Sequence, residues 1–266
     1  MINKGGINMK FGMPTLIEYN TVEENVKLAK QLNLSFIELN MDLPYCTLSK
    51  ELKNLAKKYN IEFTIHLSEK LDIGELENDI RNAYLKKIEK IIKKGVQLNI
   101  KKYNLHLDPG IHFSLPNRKI FIYEKYLNEY KENLKKSCTF LNELGKKFNI
   151  EIMFENLKLP DYLKEGFKII STFDNLFFTL DMGHDLKNNS NAEKFFLKFN
   201  NKINHIHIHD FNGKSDHIAL GTGIMNIKEK ISLIKKLGTY SVIEVKQEKD
   251  LIKSVNYLKN NKIVMN

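Results

Sequence analysis

Eight short runs rich in β-branched and aromatic residues recur along this chain, each separated from the next by a longer amphipathic stretch. That alternation constrains the fold more than any other feature. The runs are MKFGMP (9–14), SFIELN (35–40), EFTIHL (62–67), KYNLHL (102–107), IEIMFEN (150–156), LFFTLDM (176–182), INHIHIHD (203–210) and YSVIEVK (240–246). Between them, TVEENVKLAKQLN, SKELKNLAKKYN, the stretches near 76–98 and 121–148, and NIKEKISLIKKL (226–237) repeat apolar residues at helical spacing. Strict βα alternation predicts a parallel sheet with helices outside it. Eight units of about 33 residues in a 266-residue chain predict an α/β fold closed into a (β/α)8 TIM barrel. An open doubly wound sheet is the competitor, but no Gly-rich dinucleotide loop follows the first strand. No linker, low-complexity tract or charge block divides the chain, so residues 1–266 read as one domain.

Composition removes several function classes. Hydrophobic residues at 42% and charged residues at 28% fit a soluble globular chain that can bury a core. No window approaches 18 uninterrupted apolar residues, and the N-terminal MINKGGINMKFGM lacks a secretory leader's apolar stretch. Cys46 and Cys138 read as inert free thiols of a cytoplasmic protein. The net charge of +10 could indicate a polyanionic partner, but it is carried almost wholly by lysine, with arginine only at Arg81 and Arg118. The lysines fall on helix faces such as KKIEKIIKKG, and lysine, asparagine and isoleucine are abundant throughout, as low-GC coding bias produces. Scarcity of arginine, the preferred bidentate phosphate ligand, argues against a nucleic-acid partner without excluding one.

In a barrel of this kind the reactive rim is formed by the C-terminal strand ends. Here those ends carry Glu38, His66, His106, Glu155 with Asn156, Asp181 with His184, His207 with Asp210 and then His217, and Glu244. One inward histidine is usually a hydrogen-bonded structural residue. Six consecutive strand ends that each deliver an imidazole or a carboxylate point instead to a metal site. His205 and His209 share a strand face with His207 because side chains repeat with period two. His205 reads as core or supporting, and His209 as a ligand or a substrate contact. Glu38 reads as a substrate contact or a loop anchor, and His112 as a rim-loop group or an exposed residue. The GTG at 221–223 reads as a phosphate-binding loop or as a simple turn.

With "IHL", "NLHLDPG", "MFEN", "LDMGH", "HIHD…DHIALGTG" and "IEV" in this order, the chain resembles the xylose isomerase-like TIM-barrel superfamily over roughly residues 9–260. That superfamily includes sugar and sugar-phosphate isomerases and epimerases, and apurinic endonucleases of the endonuclease IV type. The epimerase branch implies one divalent metal (manganese, zinc or cobalt) on Glu155, Asp181, His207 and Glu244. It also implies proton transfer by Glu155 and Glu244 beside a metal-bound carbonyl, with a sugar or sugar phosphate as partner. Glu38, His66, His106, His184 and His209 are then expected to line the substrate. The endonuclease branch implies up to three zinc ions and adds His66, His106, His184 and His217. That branch has an aspartate two residues before the histidine matching His217. Here Ser215 holds that place and the acid is Asp216, a candidate metal ligand or sugar contact, which puts the third ion in doubt. A metal-dependent isomerase or epimerase is the expected function, and a zinc-dependent phosphodiesterase the alternative.

Overall fold

The structure is a computed structural model that describes residues 9–263; most of the stretch read for a leader, residues 1–8, lies outside the described residues. Strand β1 (Lys10–Pro14) leads through α1 (Val22–Gln31) to β2 (Phe36–Asn40). The chain then runs through α2 (Lys50–Tyr59) to β3 (Glu62–His66), and through α3 (Asn78–Gln97) to β4 (Lys102–His106). A hairpin follows, β5 (His112–Leu115) and β6 (Arg118–Phe121), then the short α4 (Ile122–Lys125) and the long α5 (Leu127–Phe148). Next come β7 (Glu151–Glu155), α6 (Asp161–Ser171), β8 (Leu176–Asp181), α7 (Met182–Asn188), α8 (Ala192–Phe196) and a 3-10 turn (Leu197–Lys202). The chain finishes with β9 (Ile203–Ile208), α9 (Ile227–Leu237), β10 (Tyr240–Ile243) and α10 (Glu248–Asn260). The strands outside the hairpin close into a parallel barrel in the order β1-β10-β9-β8-β7-β4-β3-β2, so the fold is the expected (β/α)8 TIM barrel. No helix among the described residues is long and apolar enough to cross a membrane.

Local chemistry accounts for the elements. Thr21 caps α1: its hydroxyl accepts the Glu24 N–H, and the Glu24 carboxylate accepts the Thr21 N–H. Val22, Val26, Leu28 and Ala29 form the buried face of that helix. Asn60 and Asn149 end α2 and α5 in the left-handed region, which asparagine tolerates. On β9, Ile206 and Ile208 are buried on one face, and His205 and His207 turn to the barrel interior on the other. Both faces of such a strand are covered, so it carries no exposed polar positions.

Register decides which strand ends meet. His66 pairs beside Asn40, His106 beside Glu155, and Asp181 beside His207. All strands are parallel, so these groups gather at one rim.

Two features depart from the sequence expectation. The hairpin of β5 and β6 interrupts the βα alternation, turning at Pro116 and Asn117. It extends into the stretch read as one helix near 121–148. Phe121 ends β6, and the chain kinks at Tyr126 (φ −112°, ψ 52°) between α4 and α5. His112 lies on this hairpin, exposed, with its ring 5.2 Å from that of Phe121. Cys46 and Cys138 are free and buried, and burial pushes both thiols up.

Candidate metal centre

Glu155 ends β7, Asp181 ends β8, His207 is the fifth residue of β9, and Glu244 follows β10. The Nδ1 atom of His207 lies 3.2 Å from Glu155 Oε1, 3.0 Å from Glu244 Oε2 and 4.0 Å from Asp181 Oδ2. One atom from each of the four residues lies within 4.8 Å of the others. These four atoms are buried, and none has a hydrogen-bond partner.

Each carboxylate has one oxygen engaged and one bare. Glu155 Oε2 accepts from Asn104 Nδ2 at 2.5 Å, and the Asn104 carbonyl accepts from Thr179 at 2.7 Å. Asp181 Oδ1 accepts the His184 N–H at 2.6 Å and so caps α7. Glu244 Oε1 accepts from Lys246 Nζ at 3.1 Å. The bare oxygens and the imidazole nitrogen converge. Ligands about 2.1 Å from a tetrahedral ion stand roughly 3.4 Å apart, close to the shorter separations here. Oxygen donors with one imidazole suit manganese, zinc or cobalt, so the residues present fit a divalent cation.

The electrostatics favour positive charge at this point. Burial alone would lower the His207 imidazole, but Glu155, Glu244 and Glu38 outweigh it and hold it well above its usual value. Burial would raise Glu155, yet His207 and His106 keep its carboxyl well below the usual range. Glu244 is likewise held low against burial, by Lys246 and His207.

The remaining histidines form two further groups. His66 Nε2 and His106 Nε2 lie 3.4 and 3.7 Å from Glu155 Oε2, the oxygen already bonded to Asn104. Burial opposes charge on His66, but Glu155 lifts it to about 9, whereas burial leaves His106 lowered. His184, His209 and His217 make the other group. There His209 Nδ1 accepts the His217 N–H at 2.9 Å, so the proton of the neutral ring sits on Nε2, 3.3 Å from Asp181 Oδ1. His217 is held at φ +51°, with Nδ1 2.9 Å from the Glu244 carbonyl.

Several sequence candidates sit elsewhere than the convergence point. Asp216 pairs with Lys187 at 2.7 Å and joins none of the groups able to hold a metal among the described residues. Glu38 is buried inside the barrel rather than anchoring a surface loop; its oxygens lie 2.9 Å from His205 Nε2 and 2.9 Å from His207 Nε2. Asp210 accepts the N–H groups of Phe211, Gly221, Gly223 and Met225. The Gly221 and Gly223 N–H groups are therefore spent on this carboxylate and the Thr222 N–H on the Ala219 carbonyl, and the segment is a turn. A Cβ on Gly223 would lie 2.3 Å from the Phe211 carbonyl oxygen, which explains the glycine there. Asn104 and Lys246 went unread in the sequence. Asn104 is two residues before His106 and therefore on the same strand face, and that alternation was the available signal.

A cavity of about 620 Å³ opens over the convergence point; its walls include Asn40, Glu69, Asp108, His184, Glu244 and Lys246.

Residues 26–261 match the family described as xylose isomerase-like TIM barrel, and the chain belongs to it. Within that family it is similar to the uncharacterized protein MJ1614 of Methanocaldococcus jannaschii, 29% identical over 248 residues that cover 90% of this chain and 93% of the relative. Among solved structures it is similar in fold to a D-tagatose 3-epimerase-like protein (TM-score 0.79, 24% identity, covering 97% of this chain and 98% of that one). It is also similar in fold to the E. coli 3-keto-D-glucoside 4-epimerase YcjR (TM-score 0.78, 16% identity, covering 97% and 100%).

Proposed function

We propose that this chain is a metal-dependent sugar isomerase or epimerase with one divalent ion on Glu155, Asp181, His207 and Glu244. The observation that carries this reading is the set of four buried, unpartnered ligand atoms around one point. The fold similarity to two proteins named as epimerases or epimerase-like supports the same class. A divalent ion held there would polarise a ketose carbonyl and the neighbouring hydroxyl and acidify the C–H between them. Of Glu155 and Glu244, one removes that proton as a carboxylate, and the other, after taking up a proton from solvent, returns it to the opposite face. Glu155 is oriented for this by Asn104, and Glu244 by Lys246.

Lys246 is the only lysine or arginine that lines the cavity among the described residues, and it is engaged with Glu244. Glu69 and Asp108 line the same walls. Apart from His66, which Glu155 holds charged, the walls offer one committed cation and several acceptors, which favours a neutral polyhydroxylated sugar over its phosphate. A screen of ketoses and ketose phosphates with manganese, zinc or cobalt tests this. Epimerisation or isomerisation of an unphosphorylated ketose is expected, and turnover confined to phosphates overturns the substrate preference.

A second reading, a zinc phosphodiesterase of the endonuclease IV type, draws on the clustering of His66 and His106 around Glu155. Two features count against it: Glu155 Oε2 is occupied by Asn104, and Asp216, the acid beside His217, is paired with Lys187 and joins no metal-holding group among the described residues. Metal analysis separates the readings. One ion per chain is expected; two or three zinc ions together with incision of abasic DNA would reverse the order.

A further inference from the structure

A neutral imidazole carries one proton, and the nitrogen that ligates a metal must be the bare one. In His207, Nδ1 faces Glu155 and Glu244, so the ring proton has to reside on Nε2, inside the barrel. There Nε2 lies 2.9 Å from Glu38 Oε1, within ion-pair distance but short of hydrogen-bond alignment in the metal-free ring. Glu38 is itself held on its other oxygen. The Thr64 hydroxyl donates to Oε2 at 3.2 Å, and His205 Nε2 lies 2.9 Å from the same atom. Register places Glu38 directly beside Thr64, and period two places His205 on the same face as His207. All of these side chains are buried.

We propose that Glu38 is a positioning residue for the metal centre: with an ion on Nδ1 it takes up the Nε2–H of His207 and so reserves Nδ1 for the ion, while the Thr64 hydroxyl and the neighbouring His205 hold Glu38 from below. This rests on the metal-dependent reading above. It also gives the alternating histidines of β9 different tasks, with His207 at the ion and His205 bracing the carboxylate behind it. Partners behind a ligating histidine commonly change metal affinity 10- to 100-fold.

Cobalt(II) titrations of wild type, Glu38→Gln and Glu38→Asp, followed by visible absorption and calorimetry, test the assignment alongside melts of the metal-free proteins. Glu38→Gln keeps the volume but offers a weaker, neutral acceptor. Its cobalt Kd is expected to rise about 10- to 100-fold with an altered visible spectrum, while stoichiometry and the metal-free melting temperature stay close to wild type. Glu38→Asp keeps the charge but withdraws it by one methylene, and is expected to fall between the two. Wild-type cobalt affinity in Glu38→Gln overturns the proposal, as does a loss matched by destabilisation of the metal-free protein. If Glu38→Gln does not fold, the same criteria apply to Glu38→Asp. A wild-type protein that binds cobalt and turns over a sugar, with variants that bind equally well, overturns this role alone. A wild-type protein that takes no cobalt overturns the functional reading and this role together.

Discussion

Glu155 ends β7 and Glu244 follows β10, with two strands between them around the barrel, yet each aims one oxygen at the same atom, Nδ1 of His207, at 3.2 and 3.0 Å. Three groups that share one focus act as a unit. Glu155→Gln or Glu244→Gln replaces a bare anionic oxygen with a neutral amide. Each change is expected to lower bound metal, measured by mass spectrometry, and to reduce sugar turnover about 10²- to 10⁴-fold. Full metal content with full turnover in either variant would contradict the proton-transfer roles.

Metal uptake should depend on pH with a defined sign. The acids around His207 hold its imidazole protonated well above the usual value, against the opposing effect of burial. An ion must displace that proton, so binding releases it and apparent affinity increases as pH rises, by up to about tenfold per unit for one proton. Calorimetry in buffers of different ionisation enthalpy measures the release. Affinity that is flat or falls from about pH 6 to about pH 8 would count against this ligand set.

Gly183 sits against His209. A Cβ built there would lie 2.1 Å from His209 Cε1. Gly183→Ala must shift the His209 ring from its place beside Asp181 and under the His217 N–H, and overpacking of this kind costs about 1–3 kcal/mol. A lower melting temperature together with weaker metal binding is expected. Unchanged values for both would mean the ring moves without consequence.

Asp72, beside Tyr123 of α4, gives a separate pH signature. Burial lifts its carboxyl to about 7, and the Tyr123 hydroxyl donates to it. The folded value exceeds the unfolded one of about 3.9, so between about pH 4 and about pH 7 the folded chain keeps a proton that the unfolded chain has lost. Stability therefore falls as pH rises through that window, by up to about 1.4 kcal/mol per unit from this group. Denaturant melts across the window should show a flatter profile for Asp72→Asn than for wild type; parallel profiles would remove Asp72 as the source.

The barrel could be read from the sequence because period-two runs and helical stretches alternate at a nearly constant spacing. The rim could be read because strand ends fix where Glu155, Asp181 and His207 must lie. What escaped depends on contacts between distant segments. Asn104 matters because register sets β4 beside β7 and brings its amide onto Glu155. Asp216 looked like a ligand from its place next to His217, but Lys187 on α7 captures it. The GTG segment read as an anion loop or a turn, and the distant Asp210 carboxylate that takes its Gly221 and Gly223 N–H groups decides for the turn. The hairpin escaped because its short exposed strands carry no buried face to give them a pattern.

The donors behind each acid have a thermodynamic consequence. With one oxygen tied to Asn104, the His184 N–H or Lys246, none of the three carboxylates can rotate freely. The entropy of gathering the charged groups is thus surrendered when the chain folds, not when an ion arrives. In the proposed enzyme, ion exchange would then leave the barrel unchanged.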